Sequence, residues 1–206
     1  MDGQEYLDQL SASVRPVKSS DNKSSFLSSK IFLISAAGVI VFILLALVGA
    51  MLSGNKSSEK DLCVSLMLHI ENTSTVVQTY QPSVKSSDLR SISASLSSVL
   101  SDTDSKLTNY LAEKYGIESG KVDEALVAQK DAERSALESD LFDAKINGLL
   151  DRIYTHKMSY ETALLMSEEA KIINKTSDEM LKDFLTTSYN SLENLSAKFG
   201  DFSETK

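Results

Sequence analysis

Twenty-two consecutive residues, Ile31 to Leu52 (IFLISAAGVIVFILLALVGAML), carry no charged side chain and a single hydroxyl, Ser35. As a helix rising 1.5 Å per residue, such a run spans roughly 33 Å, against a hydrocarbon core of about 30 Å. A lone segment in lipid must satisfy its own backbone hydrogen bonds, so it has to be helical. The run therefore predicts a transmembrane helix. It divides the chain into a tail (1–30), an anchor in the lipid bilayer (31–52), a juxtamembrane linker (53–60), a helical domain (61–200) and a short C-terminal tail (201–206).

The charges beside the anchor set its direction. Arg15, Lys18, Lys23 and Lys30 precede it, and Lys56 and Lys60 follow it. The positive-inside rule then keeps the N-terminus cytoplasmic and exports the larger domain. A cleaved signal peptide is the competing reading, since Val48-Gly49-Ala50 has small residues at the right spacing. Signal peptides, however, have apolar cores of about 7–15 residues behind a short basic stretch, and here thirty polar residues come first. That tail is Ser-rich and interrupted by Pro16, a composition expected to stay disordered.

Residues 1–30 hold four basic and four acidic side chains, so the whole formal charge of −8 falls after the anchor. An acidic surface repels nucleic acid and anionic headgroups, which argues against both as partners of the domain. The one cysteine, Cys63, cannot form an internal bridge. Among Leu62, Val64 and Leu66 it reads first as a small buried hydrophobe, and second as an intermolecular disulfide just outside the membrane.

Helical periodicity fills the domain. Ser58 with Asp61 reads as a helix start, and Leu62, Leu66, Ile70, Thr73, Val77 and Tyr80 form one face up to Pro82. A second helix starts near Ser86 or Ser87 with a stripe of Leu89, Ile92, Leu96, Val99, Thr103, Leu107 and Tyr110. Gly116 is its predicted left-handed cap, with Ile117 as the accompanying apolar contact. The serines of Ser91–Ser101 are assigned to the polar face. Residues 121–146 predict a more polar connecting helix that crosses the bundle end or packs along it, with Ala125, Leu126, Leu137, Leu141 and Phe142 as its apolar residues. After Gly148, the inward positions read as Leu149, Ile153, Tyr160, Ala163, Leu164 and Ile173. Ser177 is the predicted N-cap of a last helix carrying Leu181, Phe184, Ser188, Leu192, Leu195 and Phe199 and ending at Gly200. No strand pattern occurs. The expected fold is all-α: an antiparallel four-helix bundle with an extra connecting helix.

Gly148-Leu149-Leu150-Asp151-Arg152-Ile153-Tyr154 followed by Met158 resembles the Gly…Phe-Asp-x-x-Tyr…Met signature of a ferritin-like bacterial domain family known as predicted outer-membrane proteins of unknown function. Leu107–Ile117 (LTNYLAEKYGI) is similar to the end of that family's second helix, and the likeness spans about Leu66 to Phe199. It implies an exported, ferritin-like four-helix bundle. Family members place histidines in three regions that here read Leu100-Ser101-Asp102, Tyr160-Glu161-Thr162 and Asn194-Leu195-Ser196. No ligand role carries over to them.

Neither histidine, His69 or His156, has a glutamate three residues before it, so the paired Glu-x-x-His set of a di-metal bundle is missing. Gly-x-Ser-x-Gly, His-Glu-x-x-His and phosphate-cradling glycine loops are also missing. The expectation is a non-enzymatic protein with no catalytic residue, metal or cofactor. Its work would be contact with a protein partner in the cell envelope through an apolar strip on the connecting helix. The rival expectation is a small-molecule sensor site lined by Tyr80, Tyr110, Tyr154 and Tyr160, with Asp151 poised beside Tyr154 at the glycine break. A divergent metal-binding bundle comes third.

Overall fold

The computed structural model describes residues 58–117 and 122–204. The predicted tail, anchor and most of the linker lie outside them. Among the described residues no helix is long and apolar enough to cross a membrane, and no strand occurs. Residues 56–206 form one compact unit.

Five helices follow one another: α1 (Glu59–Tyr80), α2 (Ser87–Tyr115), α3 (Glu124–Ile146), α4 (Leu150–Ile173) and α5 (Glu179–Glu204). Several starts have a side-chain cap close by in the sequence. Ser58 caps α1 in a reciprocal box with Asp61, Ser86 caps α2, and Asp123 caps α3 through the Ala125 amide. Pro82 turns α1 into a short 3₁₀ segment, Gln81–Ser83. Gly116 ends α2 at φ +63°, its N–H donating to the Ala112 carbonyl at 3.0 Å, while Ile117 is buried as the capping contact. Gly148, at φ +71°, ends α3 in the same left-handed region, and the Leu149 N–H closes the turn on the Ala144 carbonyl at 2.8 Å.

Helix pairs α1–α2, α2–α5, α5–α4 and α4–α1 pack in a ring, each pair antiparallel. α3 lies outside this ring, along the groove between α1 and α4. The connecting helix thus packs along the bundle and does not cross its end. The core within the ring is built from Leu66, Ile70 and Val77 of α1, Leu89, Leu96, Leu100 and Leu107 of α2, Tyr154, Met158 and Leu165 of α4, and Leu185, Leu192 and Phe199 of α5. Full burial of a leucine is worth about 1.5–3 kcal/mol, so these stripes dominate the stability.

Several expectations need correction. In α4 the buried face is Leu150, Tyr154, Met158, Leu165 and Ile172, none of them in the expected set. Leu149, Tyr160 and Ala163 are exposed, and Ile153, Leu164 and Ile173 are half-buried. The cause is polar: Thr155, Thr162 and Glu169, spaced seven apart, share the buried side, so apolar periodicity alone points away from it. The threonines satisfy themselves on their own helix, donating to the Asp151 and Met158 carbonyls at 2.7 and 2.6 Å. Ser93, assigned to a polar face, is fully buried and donates to the Leu89 carbonyl at 2.7 Å. On α3, Phe142 is exposed. The N-cap of α5 is Asp178, whose carboxylate accepts from the Leu181 N–H at 3.2 Å, and Ser177 is not the cap. α5 also runs through Gly200 to Glu204. Phe202 packs against the core, which offsets the roughly 1 kcal/mol that a glycine costs a helix. Cys63 is fully buried, and burial first of all pushes its thiol up to about 12. In the folded bundle it is a packing residue, and the intermolecular disulfide is set aside.

One buried acid stands in the core. Glu169 is 1 % exposed, with Oε1 2.6 Å from Ser188 Oγ. Ser188 Oγ lies 2.8 Å from Thr103 Oγ1, which lies 2.9 Å from the Val99 carbonyl oxygen. Two hydroxyls supply two protons, and three such contacts need three. The chain is complete when Glu169 is a neutral acid donating to Ser188. Oε2 has no hydrogen-bond partner among the described residues, which a neutral carbonyl oxygen tolerates far better than a carboxylate. Burial, aided by the charge of Glu168, raises the Glu169 pKa from 4.5 to about 8. It does so against the pull of a Ser188 hydroxyl that would donate to the ionised form.

The folded state therefore binds a proton that the unfolded chain releases above pH 4.5. Stability from this group is complete below that value and falls as pH rises toward about 8. Glu169→Gln, which donates the same hydrogen bond without titrating, should melt higher than the parent at pH 8 by a few kcal/mol in free-energy terms. It should also flatten the decline between pH 5 and 8 in circular-dichroism melts; an unchanged slope would contradict a neutral Glu169.

Candidate functional site

The five residues singled out from sequence fall at separate places. Tyr110, near the end of α2, donates from its hydroxyl to Glu59 Oε1 at 2.7 Å, beside Tyr115 at 2.8 Å and Lys114 at 3.0 Å. Lys114 also reaches Tyr110 Oη and, at 3.1 Å, Asp178. Burial alone would raise the Glu59 carboxyl, but these donors outweigh it and hold the group down at about 2. The cluster ties α1, α2 and the α4–α5 turn together at the Ser58 pole of the bundle. Tyr80, at the far end of α1, donates to the Glu138 carbonyl at 2.8 Å and so fastens α3. Tyr154 is fully buried in the ring.

Asp151 accepts from the Lys85 and Ser86 amides, both at 2.9 Å. It thereby holds the start of α2 against the start of α4. Tyr160 alone lines an open cleft. The tyrosines do not converge on one cavity.

That cleft, about 450 Å³, runs between α1, α3 and α4. His69 stands at its floor, buried, with Nε2 2.9 Å from Glu161 Oε2 and Nδ1 3.2 Å from Glu168 Oε2. Burial disfavours the imidazolium, yet the two carboxylates overcome it and raise the ring's pKa to about 9. Lys130 reaches Glu168 at 3.4 Å and Glu133 at 3.3 Å, Lys157 pairs with Asp140, and Asn72 donates to the Lys130 carbonyl at 2.9 Å. The cleft's charges thus answer one another. It is a polar seam joining α3 to the ring.

His69 escaped attention as a lone histidine. Its signal was its place three residues after Leu66 and four before Thr73 on the inward face, facing glutamates seven apart on α4. Among the described residues no group of three or more His, Cys, Asp or Glu side chains is arranged to hold a metal ion. Both ring nitrogens of His69 face carboxylates already.

The opposite pole, where α1 meets α2 and α3 meets α4, is different in kind. Phe142, Ile146 and Leu149 are 55, 67 and 47 % exposed, three of the five large hydrophobic side chains exposed among the described residues. Phe142 and Ile146 lie one turn apart on one face of α3, and Leu149 follows its cap. Leu149, unlike Phe142 and Ile146, also lines a hollow of about 440 Å³, together with Leu150 and Phe202. This corner is the candidate functional site.

No protein-family model, no curated protein and no solved structure matches the chain.

If the cleft is a seam, breaking it loosens α3 alone. Lys130→Ala removes the α3 cation that meets Glu168 of α4, at a cost of about 1.5–3 kcal/mol. Amide exchange across Glu124–Ile146 should then rise at least about tenfold at pH 7, with α2 and α5 nearly unchanged. Uniform acceleration of all five helices, or none, would contradict this assignment. Asp151→Ala, which removes two hydrogen bonds to a charged acceptor, should lower stability in urea by about 2–4 kcal/mol.

Proposed function

We propose that this chain is a membrane-anchored, non-enzymatic interaction module that offers the α3–α4 corner of its bundle to a protein partner in the cell envelope. Residues 31–52 serve as the anchor, and the basic residues before them keep the N-terminus cytoplasmic. On this reading the domain is a ferritin-like bundle that has lost the family's histidine ligands and retains the architecture as a scaffold.

The observation that carries the reading is the exposed apolar strip of Phe142, Ile146 and Leu149. Scattered exposed hydrophobics need no explanation, but neighbours gathered at one corner do. The corner lies at the far end of α1 from Ser58, where the chain enters the bundle. Twenty-two helical residues separate the two poles by roughly 33 Å.

A photo-crosslinking residue at Ile146 of the full chain, expressed in its native membrane, should give a discrete adduct of protein mass. The same residue at Asp183, exposed on α5, should give none. Absence of any Ile146 adduct would overturn the reading.

A further inference from the structure

We infer that the partner of the α3–α4 corner is an acidic amphipathic helix of another protein. This rests on the interaction reading above and specifies its chemistry.

The chain carries a formal charge of −8, yet the rim of the corner hollow is basic: Lys85, Lys145 and Arg152 surround Leu149, Leu150 and Phe202. The three cations come from the α1–α2 turn, the end of α3 and the start of α4. None of their charged groups takes part in a salt bridge among the described residues. Lys130 pairs with Glu168, Lys157 with Asp140, and Lys114 with Glu59 and Asp178. Lys60, Lys171, Lys182 and Lys198 also make no salt bridge among the described residues. The rim is set apart by three such cations gathered around one apolar hollow. Asp151 is the one carboxylate lining the hollow among the described residues, and both of its oxygens are occupied by the Lys85 and Ser86 amides.

An apolar hollow with an unpaired basic rim, on an otherwise acidic molecule, selects for a negatively charged, apolar-faced occupant. The strip runs along α3, with Phe142 and Ile146 one turn apart. That is the spacing against which a second helix lays its own apolar residues. The hollow, about 440 Å³, suits a few side chains of such a helix. Acidic residues flanking that apolar face would meet Lys85, Lys145 and Arg152.

The test uses the full chain in its membrane, with a photo-crosslinking residue at Ile146 and mass-spectrometric sequencing of the adduct. The crosslinked segment should be a helical stretch with apolar residues at spacings of three and four and an excess of Asp and Glu. Lys85→Glu, Lys145→Glu and Arg152→Glu together should cut adduct yield at least tenfold. A control with the same charge change at exposed sites elsewhere, Lys106→Glu, Lys182→Glu and Lys198→Glu, should leave the yield within twofold. If the triple charge reversal fails to fold by circular dichroism, the Lys85→Gln, Lys145→Gln, Arg152→Gln variant replaces it, with a several-fold loss expected. A protein adduct indifferent to these changes would leave the interaction reading standing and overturn the acidic partner. An adduct on lipid, on a second copy of this chain or on a segment without acidic excess would overturn it as well. No adduct in the parent would overturn both.

Discussion

A chain this long buries one shared apolar core. α1, α2, α4 and α5 supply most of it, with α3 adding Leu137 and Leu141 from outside the ring. That constraint orders the domain. α1, α2, α5 and α4 close the ring, and their apolar stripes meet inside it. α3 lies on the outside of this ring, packed chiefly on α1 and α4. Attached on one side, it buries Leu137, Leu141 and Ala144 against the ring. Leu126 packs beside them, and polar links run through Lys130, Asp140, the carbonyl that Asn72 meets and the carbonyl that Tyr80 meets. Its outer face has nothing to pack on. That is why Phe142 and Ile146 stand in solvent on a helix that otherwise belongs to the fold.

The distribution of charge follows the same division. Where the helices meet each other, opposite charges are matched: His69 between two glutamates, and Glu59 among two tyrosines and a lysine. Inside the ring, where no counter-charge is available, Glu169 is held neutral by burial and by a chain of hydroxyls. The α3–α4 corner differs in what it gathers. Three cations and three large apolar side chains are left without partners among the described residues, and that unbalanced chemistry, with no enclosed catalytic cavity beside it, carries the functional proposal.

Much of the scaffold was legible residue by residue. Ser58 with Asp61, Ser86, Pro82 and Gly116 mark their helix ends by local chemistry that needs no tertiary knowledge, and the unbroken stripes of α1 and α2 declare their buried faces. Legibility failed where a polar residue lies inside or an apolar one outside. In α4 the buried Thr155, Thr162 and Glu169 turned the apparent face away from the buried one. Gly200 suggested an end that Phe202, packing beyond it, overrode. The candidate tyrosines looked like a set because they recur on inward faces, but three helices carried them to different levels of the bundle. Asp151 looked available for chemistry, and it proves to be the acceptor that docks the α1–α2 turn.

By itself, then, the sequence determined the helical class, most helix ends, the strip-bearing connecting helix and the apolar run at 31–52, because propensity, capping and periodicity act over a few residues. Only the tertiary structure decided that α3 lies outside the ring. Only it brought His69 of α1 to Glu161 and Glu168 of α4, and gathered Lys85, Lys145 and Arg152 from three segments around one hollow. Those relations join residues seven to ninety-nine positions apart, and they depend on which helix faces fill the single core and which are left over.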